Sequence, residues 1–406
     1  MLTLENLKTF CAANDIPAFR AKQIMQGIYQ EGAETFSDIS TLPAPLKKFL
    51  DEKAAGSEGV DGAPGIPGAP ELQISTVRPI AQEVSSDNST MKILFELPDK
   101  STIEGVLMRF NDGRRTVCIS SEVGCPLKCS FCASGTLRFK RSLSWEEMAD
   151  QVIYFSKYLK RMSAQTGEKE ELNHVVYMGI GEPFRNYDNL LKSLNILMDP
   201  QYVGLGARKI TVSTAGIVEK IRQFADEPFQ VNLALSLHAP TQELRQKIMP
   251  IALRYKLDDL MDAVRYYLKT TKRRISFEYV MLRDVNDTEE CAHQLAKLVK
   301  GMLCHVNLIP YNATDIDTVA GSERKTIKKF QDILNEAGIP ATTRVSLGQD
   351  IAAACGQLAN KAQKPVEKQV AKSSVKGTAK PIPKPAAKPT AKPVAKTSGI
   401  AKLAKR

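Results

Sequence analysis

Three of the chain's eight cysteines fall within eight residues, Cys125-Pro126-Leu127-Lys128-Cys129-Ser130-Phe131-Cys132. Thiolates this close together are soft ligands for zinc or for an iron–sulfur cluster. Structural zinc normally takes four ligands in paired spacings, and no second Cys-x-x-Cys or Cys-x-x-His pair is present. Three thiolates suit three irons of a 4Fe–4S cube and leave the fourth iron open. An amino-carboxylate such as the methionyl end of S-adenosylmethionine (SAM) can occupy that iron and receive one electron. A zinc-containing binding protein without catalysis is the rival from another class.

Other chemically useful groups are scattered. Gly181-Glu182-Pro183 offers bare backbone and a carboxylate to an ammonium group, or makes an ordinary tight turn. Ser213, the run Ser236-Leu237-His238, and Asn312 fall at or just beyond the ends of predicted strands, although a histidine such as His238 taken alone is more often structural. Cys118 precedes the triple-cysteine motif by seven residues, and Cys355 lies in a glycine-rich segment from Gly348 to Gly356. Read alone, both are small buried apolar residues, as are Cys11, Cys291 and Cys304. Glu104 alone reads as a surface carboxylate.

Such distant positions need a scaffold that gathers them on one rim. Short β-rich runs at Thr116–Ser120, His174–Met178, Lys209–Ser213, Val231–Leu237, Ile275–Val280 and His305–Ile309 alternate with helical stretches. Ser144 with Glu147 three residues on is a capping box opening one helix. Others are expected near Tyr187–Leu197, Leu257–Leu268, Thr288–Lys300 and Arg324–Asn335. Repeated strand–helix units predict an α/β fold, a partial (β/α)6 barrel with its site at the C-terminal ends of the strands.

The remaining chain divides by composition. Residues 1–53 have helical periodicity and read as a small N-terminal helical domain; Arg20, Lys22 and Gln23 give it a polar face that either touches phosphates or is simply solvated. Residues 54–72 are a Gly/Pro-rich linker with glycine leading each of five triplets. Residues 73–114 predict a β-hairpin extension turning at Pro98-Asp99-Lys100, and residues 115–360 form the barrel and the Cys355 segment. Residues 361–406 hold twelve lysines and Arg406 against Glu367 alone, so this tail carries +12 and the rest of the +11 chain carries −1. Nine of those lysines recur every fourth residue, but interspersed prolines forbid a continuous helix. A disordered polycation is expected, which either attracts phosphates regardless of sequence and in a salt-sensitive way or serves only to keep the chain soluble. No stretch is long and apolar enough for a membrane span, and the N-terminus lacks a signal-peptide pattern. The expectation is a cytoplasmic monomer.

The motif Gly124-Cys125-Pro126-Leu127-Lys128-Cys129-Ser130-Phe131-Cys132-Ala133 resembles that of the RlmN/Cfr family of radical SAM RNA adenine methyltransferases. Phe19-Arg20-Ala21-Lys22-Gln23-Ile24, Met178-Gly179-Ile180-Gly181-Glu182-Pro183, Val212-Ser213-Thr214-Ala215-Gly216, Leu235-Ser236-Leu237-His238-Ala239-Pro240 and Ala354-Cys355-Gly356-Gln357-Leu358 extend the likeness over about residues 4–360. The resemblance implies a 4Fe–4S cluster on Cys125, Cys129 and Cys132. It implies SAM, two per turnover, at Gly181, Glu182, Ser213, Ser236, Leu237, His238 and Asn312. Residues 1–53 become an RNA-binding accessory domain.

The aromatic C–H carbons of adenine are poor nucleophiles, so direct methyl displacement fails there and radical addition is needed. In the family a cysteine, here Cys355, is methylated first. A 5'-deoxyadenosyl radical then takes hydrogen from the methyl group, and the methylene adds to the base. Cys118 matches the resolving thiol, which forms a transient disulfide with Cys355, and Glu104 matches the proton acceptor. The implied product is adenine methylated at carbon 2 in 23S ribosomal RNA and in tRNA 3' of the anticodon. The Cfr-like alternative is carbon 8 of the ribosomal adenine. An electron donor such as flavodoxin or ferredoxin is implied. Family members often carry Arg where Leu347 stands and an acidic residue where Gln349 stands; both departures spare the thiols.

Overall fold

The structure, a computed structural model, describes residues 1–55, 72–314 and 319–360. The glycine-triplet linker from Gly56 and the lysine-rich tail from Lys361 lie outside those residues. The chain begins with helices α1 (Leu4–Ala13), α2 (Phe19–Met25), which continues into a π-helical turn at Gln26–Glu31, and α3 (Ala44–Ala55). Leu7, Phe10, Ile24, Ile28 and Leu50 face inward and join one hydrophobic core with the barrel. Lys157 Nζ reaches across to the Ala33 carbonyl at 2.7 Å, and Gln30 Nε2 to that of Pro200 at 2.7 Å.

Ten strands form one sheet. β1 (Arg78–Val84), β2 (Thr90–Glu96), β3 (Thr102–Arg109) and β4 (Arg115–Cys118) pair antiparallel in sequence order. β5 (Glu122–Val123) and β6 (Arg141–Ser142) make a separate ribbon bracketing the triple-cysteine loop. β7 (His174–Tyr177), β8 (Ile210–Thr214), β9 (Asn232–Ser236), β10 (Ile275–Met281), β11 (Cys304–Pro310) and β12 (Ala341–Thr343) continue from β4 in parallel. β1 and β12 are the two edges, so the barrel is open. Helices α4 (Trp145–Thr166), α5 (Tyr187–Met198), α6 (Val218–Asp226), α7 (Gln242–Ile248), α8 (Leu257–Thr271), α9 (Glu289–Val299) and α10 (Arg324–Glu336) supply the crossovers.

The six predicted barrel strands and the five predicted helices are present. The structure adds β1, the two-residue strands β5 and β6, β12, α6 and α7. β1 carries Pro79 and a register shift between Pro79 and Ala81, features that an edge strand tolerates and that obscure strand periodicity. α6 and α7 are short, nine and seven residues, so few turns display an apolar stripe. α4 follows from local chemistry: both halves of the Ser144/Glu147 capping box are made, a contribution of about 1 kcal/mol. Met148, Val152, Phe155 and Leu159 are fully buried on one face, and each contributes about 2 kcal/mol by leaving water. No helix among the described residues is long and apolar enough to cross a membrane.

Candidate active site

The C-terminal ends of the parallel strands surround one cavity. Cys125, Cys129, Cys132, Gly181, Glu182, Ser213, Ser236, His238, Asn312 and Cys355 all line it. The triple-cysteine loop leaves β5 through Gly124, whose φ is +76° and whose added Cβ would meet the Arg138 carbonyl oxygen at 2.2 Å, so only glycine fits this turn. Cys129 and Phe131 then pack against Ile248, Met249 and Val280, and the Ser130 N–H donates to the Ile248 carbonyl at 3.0 Å.

Burial pushes the Cys125 thiol up to about 12 and raises Cys129 and Cys132 as well; Cys132 adds to the rise at Cys125, and Cys132 and Cys125 to that at Cys129. Three crowded thiols without a cation between them hold their protons, and iron supplies the charge that releases them. Among the described residues, no three His, Cys, Asp or Glu side chains converge as ligands of a single ion would. A cube asks less of them, because each thiolate binds a different iron. The donor set therefore fits a 4Fe–4S cluster.

Glu182 is the feature that fits the amino group of SAM. It is 3% exposed, with Oε1 accepting the Phe184 N–H at 3.0 Å and Oε2 the Ala215 N–H at 2.6 Å. Burial pushes its carboxyl up to about 7, and neighbouring Glu122 adds to the rise. An incoming ammonium ion would reverse that shift. Gly181, at φ +104°, passes so close to Glu122 that an added Cβ would lie 2.6 Å from its side chain. Ser213 Oγ and Ser236 Oγ stand 3.4 Å apart. His238 Nδ1 accepts the Val280 N–H at 3.0 Å, which leaves the ring proton on Nε2. Burial, and then Arg245, push its pKa down to about 3, so the ring is neutral.

Cys355 arrives from the other side. Asn312 Nδ2 donates to its carbonyl at 3.0 Å, and the Ala133 N–H to the Gly356 carbonyl at 2.8 Å, tying the segment to the cysteine loop. Cys118, at the end of β4, lines a smaller adjoining cavity together with Cys355, Met178 and Arg344. Burial pushes the Cys118 thiol up to about 12, Cys355 adds to this, and the Arg344 guanidinium opposes it. No disulfide joins the two thiols.

Two predicted residues stand elsewhere. Leu237 is fully buried in the hydrophobic core just past the end of β9 and lines neither cavity, while Ser236 before it and His238 after it, at φ +58°, line the main one. Glu104 lines neither cavity. It is 1% exposed; Oε1 lies 3.5 Å from Lys92 Nζ, and Oε2 accepts the N–H groups of Ala359 at 2.9 Å and Asn360 at 3.0 Å. It is a buried anchor rather than the surface carboxylate of the isolated reading.

Sequence reasoning missed three residues. Arg344 lines both cavities, with Nη1 3.7 Å from Glu278 Oε2. Glu278 is buried beside it and accepts from Asn307 Nδ2 at 2.8 Å. Arg245 is fully buried below Cys129, donates to the Ala215, Ser236 and Leu237 carbonyls, and leaves Nη1 without a partner. It sits on α7, a helix the sequence pattern did not reveal.

Comparison with known proteins agrees with this geometry. The Radical SAM superfamily matches residues 119–296, and the ribosomal RNA large subunit methyltransferase N-terminal domain matches residues 1–55. The probable dual-specificity RNA methyltransferase RlmN of Geobacillus kaustophilus is 44% identical over 363 residues, 89% of this chain and 92% of that protein. The chain belongs to the RlmN family. A relative of the same description from Caldanaerobacter subterraneus is 42% identical over 89% of this chain and 98% of its own. The crystal structure of a radical SAM methyltransferase from Sphaerobacter thermophilus superposes with a TM-score of 0.78 at 40% identity, covering 89% of this chain and 98% of that one. A 4Fe–4S cluster and SAM are the cofactors of this superfamily, and the RlmN-family cavity described above has a donor set for each.

Proposed function

We propose that this protein methylates RNA at carbon 2 of adenine, in 23S ribosomal RNA and in tRNA at the adenosine 3' of the anticodon. The observation that carries the reading is the shared cavity of Cys355, Cys118 and Arg344 beside the triple-cysteine loop. Curated relatives named as dual-specificity RNA methyltransferases support the two RNA classes.

Cys125, Cys129 and Cys132 would hold the cluster, and Glu182 with Gly181, Ser213, Ser236, His238 and Asn312 would hold SAM; Leu237 backs the site from the core. When bound, the cluster supplies one electron to SAM, whose cleavage provides the radical that takes hydrogen from a methyl group. Cys355, having lost its thiol proton, first accepts that methyl group as a thioether from one SAM, whose sulfonium would leave as the neutral sulfide S-adenosylhomocysteine. Its methylene then bonds to the adenine carbon, joining protein and RNA. The adduct gives up one electron, for which the oxidised cluster would be the acceptor, and the ring carbon loses its proton to Glu104, which must first be released from the Ala359 and Asn360 amides that occupy it. Cys118 attacks the Cys355 sulfur; the S–S bond forms, the C–S bond breaks, and its electron pair stays with the carbon and takes up a proton. The disulfide is afterwards reduced by an external donor.

Nucleoside mass spectrometry on separate ribosomal and transfer RNA pools treated with reconstituted enzyme tests the proposal. The expected product is 2-methyladenosine in both. 8-Methyladenosine alone would replace this reading with the carbon-8 reaction. Cys118→Ala should accumulate the covalent protein–RNA species on a denaturing gel, and undiminished turnover by that variant would remove its resolving role.

A further inference from the structure

The barrel has a second opening at the end away from the cysteines. Strands β8, β9 and β10 begin there, and Thr211, Asn232 and Ser276 line a polar pocket of about 400 Å³ edged by Arg208, Arg273 and Arg274. Strand alternation places Thr211 on the same face as Ser213, Asn232 on that of Ser236, and Ser276 on that of Glu278. Those partners line the main cavity, so the pocket lies at the opposite end of the barrel interior.

Its charge is one-sided. No carboxylate lines it among the described residues. Neutral acceptors aim two of the guanidiniums without cancelling them: Arg273 donates to the Val231 carbonyl at 2.6 Å and to Asn232 Oδ1 at 2.7 Å, and Arg208 Nε to Gln230 Oε1 at 2.8 Å. The crowding registers in the titrating groups. Burial and then Arg208 lower the Arg273 pKa, and burial and then Arg274 lower that of His305, next to Ser276 in the sheet. Forked, preset donors in a polar concavity match the oxygens of a phosphate, and an anion there would relieve the repulsion.

We propose that this mouth is a phosphate-binding site and that its occupant is a backbone phosphate of the RNA substrate. RNA fits better than an acidic electron carrier: a carrier docked here would stay the length of a five- to seven-residue strand from the cysteine loop, whereas a long RNA can touch this end through one phosphate and still present a base at the other rim. The charge also lies on a body whose residues 1–360 sum to −1, so these arginines give RNA an orientation that overall charge does not. The assignment rests on RNA being the substrate, and a separate phosphate measurement lets the site and that reading fail independently.

The test uses the full-length protein, with Arg274→Gln and Arg208→Gln as two variants, each checked for an unchanged melting temperature and iron content. RNA stem-loop binding is measured by filter retention over a series of salt concentrations, and inorganic phosphate binding by calorimetry. Each variant should weaken RNA binding and flatten the plot of log affinity against log salt by about one unit, the signature of one lost phosphate contact. Phosphate binding lost in the variants while RNA binding is unchanged would overturn RNA as the occupant in favour of a free phosphate compound. A slower reaction with a protein reductant but not with dithionite, at unchanged RNA binding, would assign the mouth to an acidic carrier instead. Unchanged RNA binding without measurable phosphate binding in the parent protein would overturn the site.

Discussion

Cys125, Cys129 and Cys132 leave a single loop between β5 and β6, whereas Cys118 ends β4 and Cys355 arrives on a segment beyond β12. The first group is set by local spacing, and its geometry needs little more than Gly124 and the packing of Phe131. The second exists only because the sheet places β4 beside β3 and the C-terminal segment is fastened across both. A set assembled by spacing should fail locally, by losing its ligand; one assembled by topology should fail when its fastenings loosen.

The sharpest break is Cys125→Ala. Removal of one thiolate from a set of three should abolish cluster retention and all turnover, read as loss of iron and of absorbance near 400 nm after reconstitution. Cys125 is only partly buried, so far-ultraviolet circular dichroism should stay that of the parent. Full iron content in this variant would mean that the loop is not the ligand set.

A smaller effect is expected where the thiol pair is fastened. Lys92 Nζ donates to the Ala352 carbonyl at 3.3 Å, three residues before Cys355, and lies 3.1 Å from Glu83 as well as 3.5 Å from Glu104. Glu104 accepts from the backbone of Ala359 and Asn360, beyond Cys355. One buried ion pair thus grips the Cys355 segment on both sides. Glu104→Ala strands two backbone donors and leaves Lys92 with Glu83 and the Ala352 carbonyl, which costs about 2 kcal/mol. Urea denaturation should show the loss, and hydrogen exchange should rise across residues 352–360 while iron content holds. Glu104→Gln keeps an acceptor but no charge and no base. It should restore most of the protection without restoring turnover, separating the anchoring role from proton transfer. Loss of iron together with the protection would end the contrast between the two groups.

What could be read beforehand divides along the same line. The cysteine loop was legible because its information is contiguous, and the six strands because each shows its own periodicity. Convergence of Cys118 and Cys355 was available only through family resemblance; no local pattern encodes which strand neighbours which. Arg344, Glu278 and Arg245 gave no signal, since a buried charge is defined by partners far away in sequence. Leu237 was grouped with the cavity by its place in a motif, although a large apolar side chain next to Ser236 in an extended segment points the other way, into the core. Glu104 was legible as a motif position but not as the anchor of a segment more than 250 residues later.

The gentlest probe distinguishes the thiols by reactivity. Cys118 is 9% exposed, while Cys355 reaches solvent. With Cys118 pushed up to about 12, its thiolate fraction at pH 8 is about one in ten thousand. Only the thiolate reacts with iodoacetamide, so labelling of Cys118 should rise about tenfold per pH unit up to about pH 11 and level off near pH 12, followed by peptide mass spectrometry. Arg344 opposes the shift, and Arg344→Gln removes that help, moving the plateau to higher pH and slowing labelling at any pH below it. Simple loosening of the pocket would instead speed labelling at every pH without moving the plateau. A plateau near pH 9 in the parent protein would show that Cys118 is as ionisable as a free cysteine, and that burial does not hold this thiol neutral until Cys355 is ready for it.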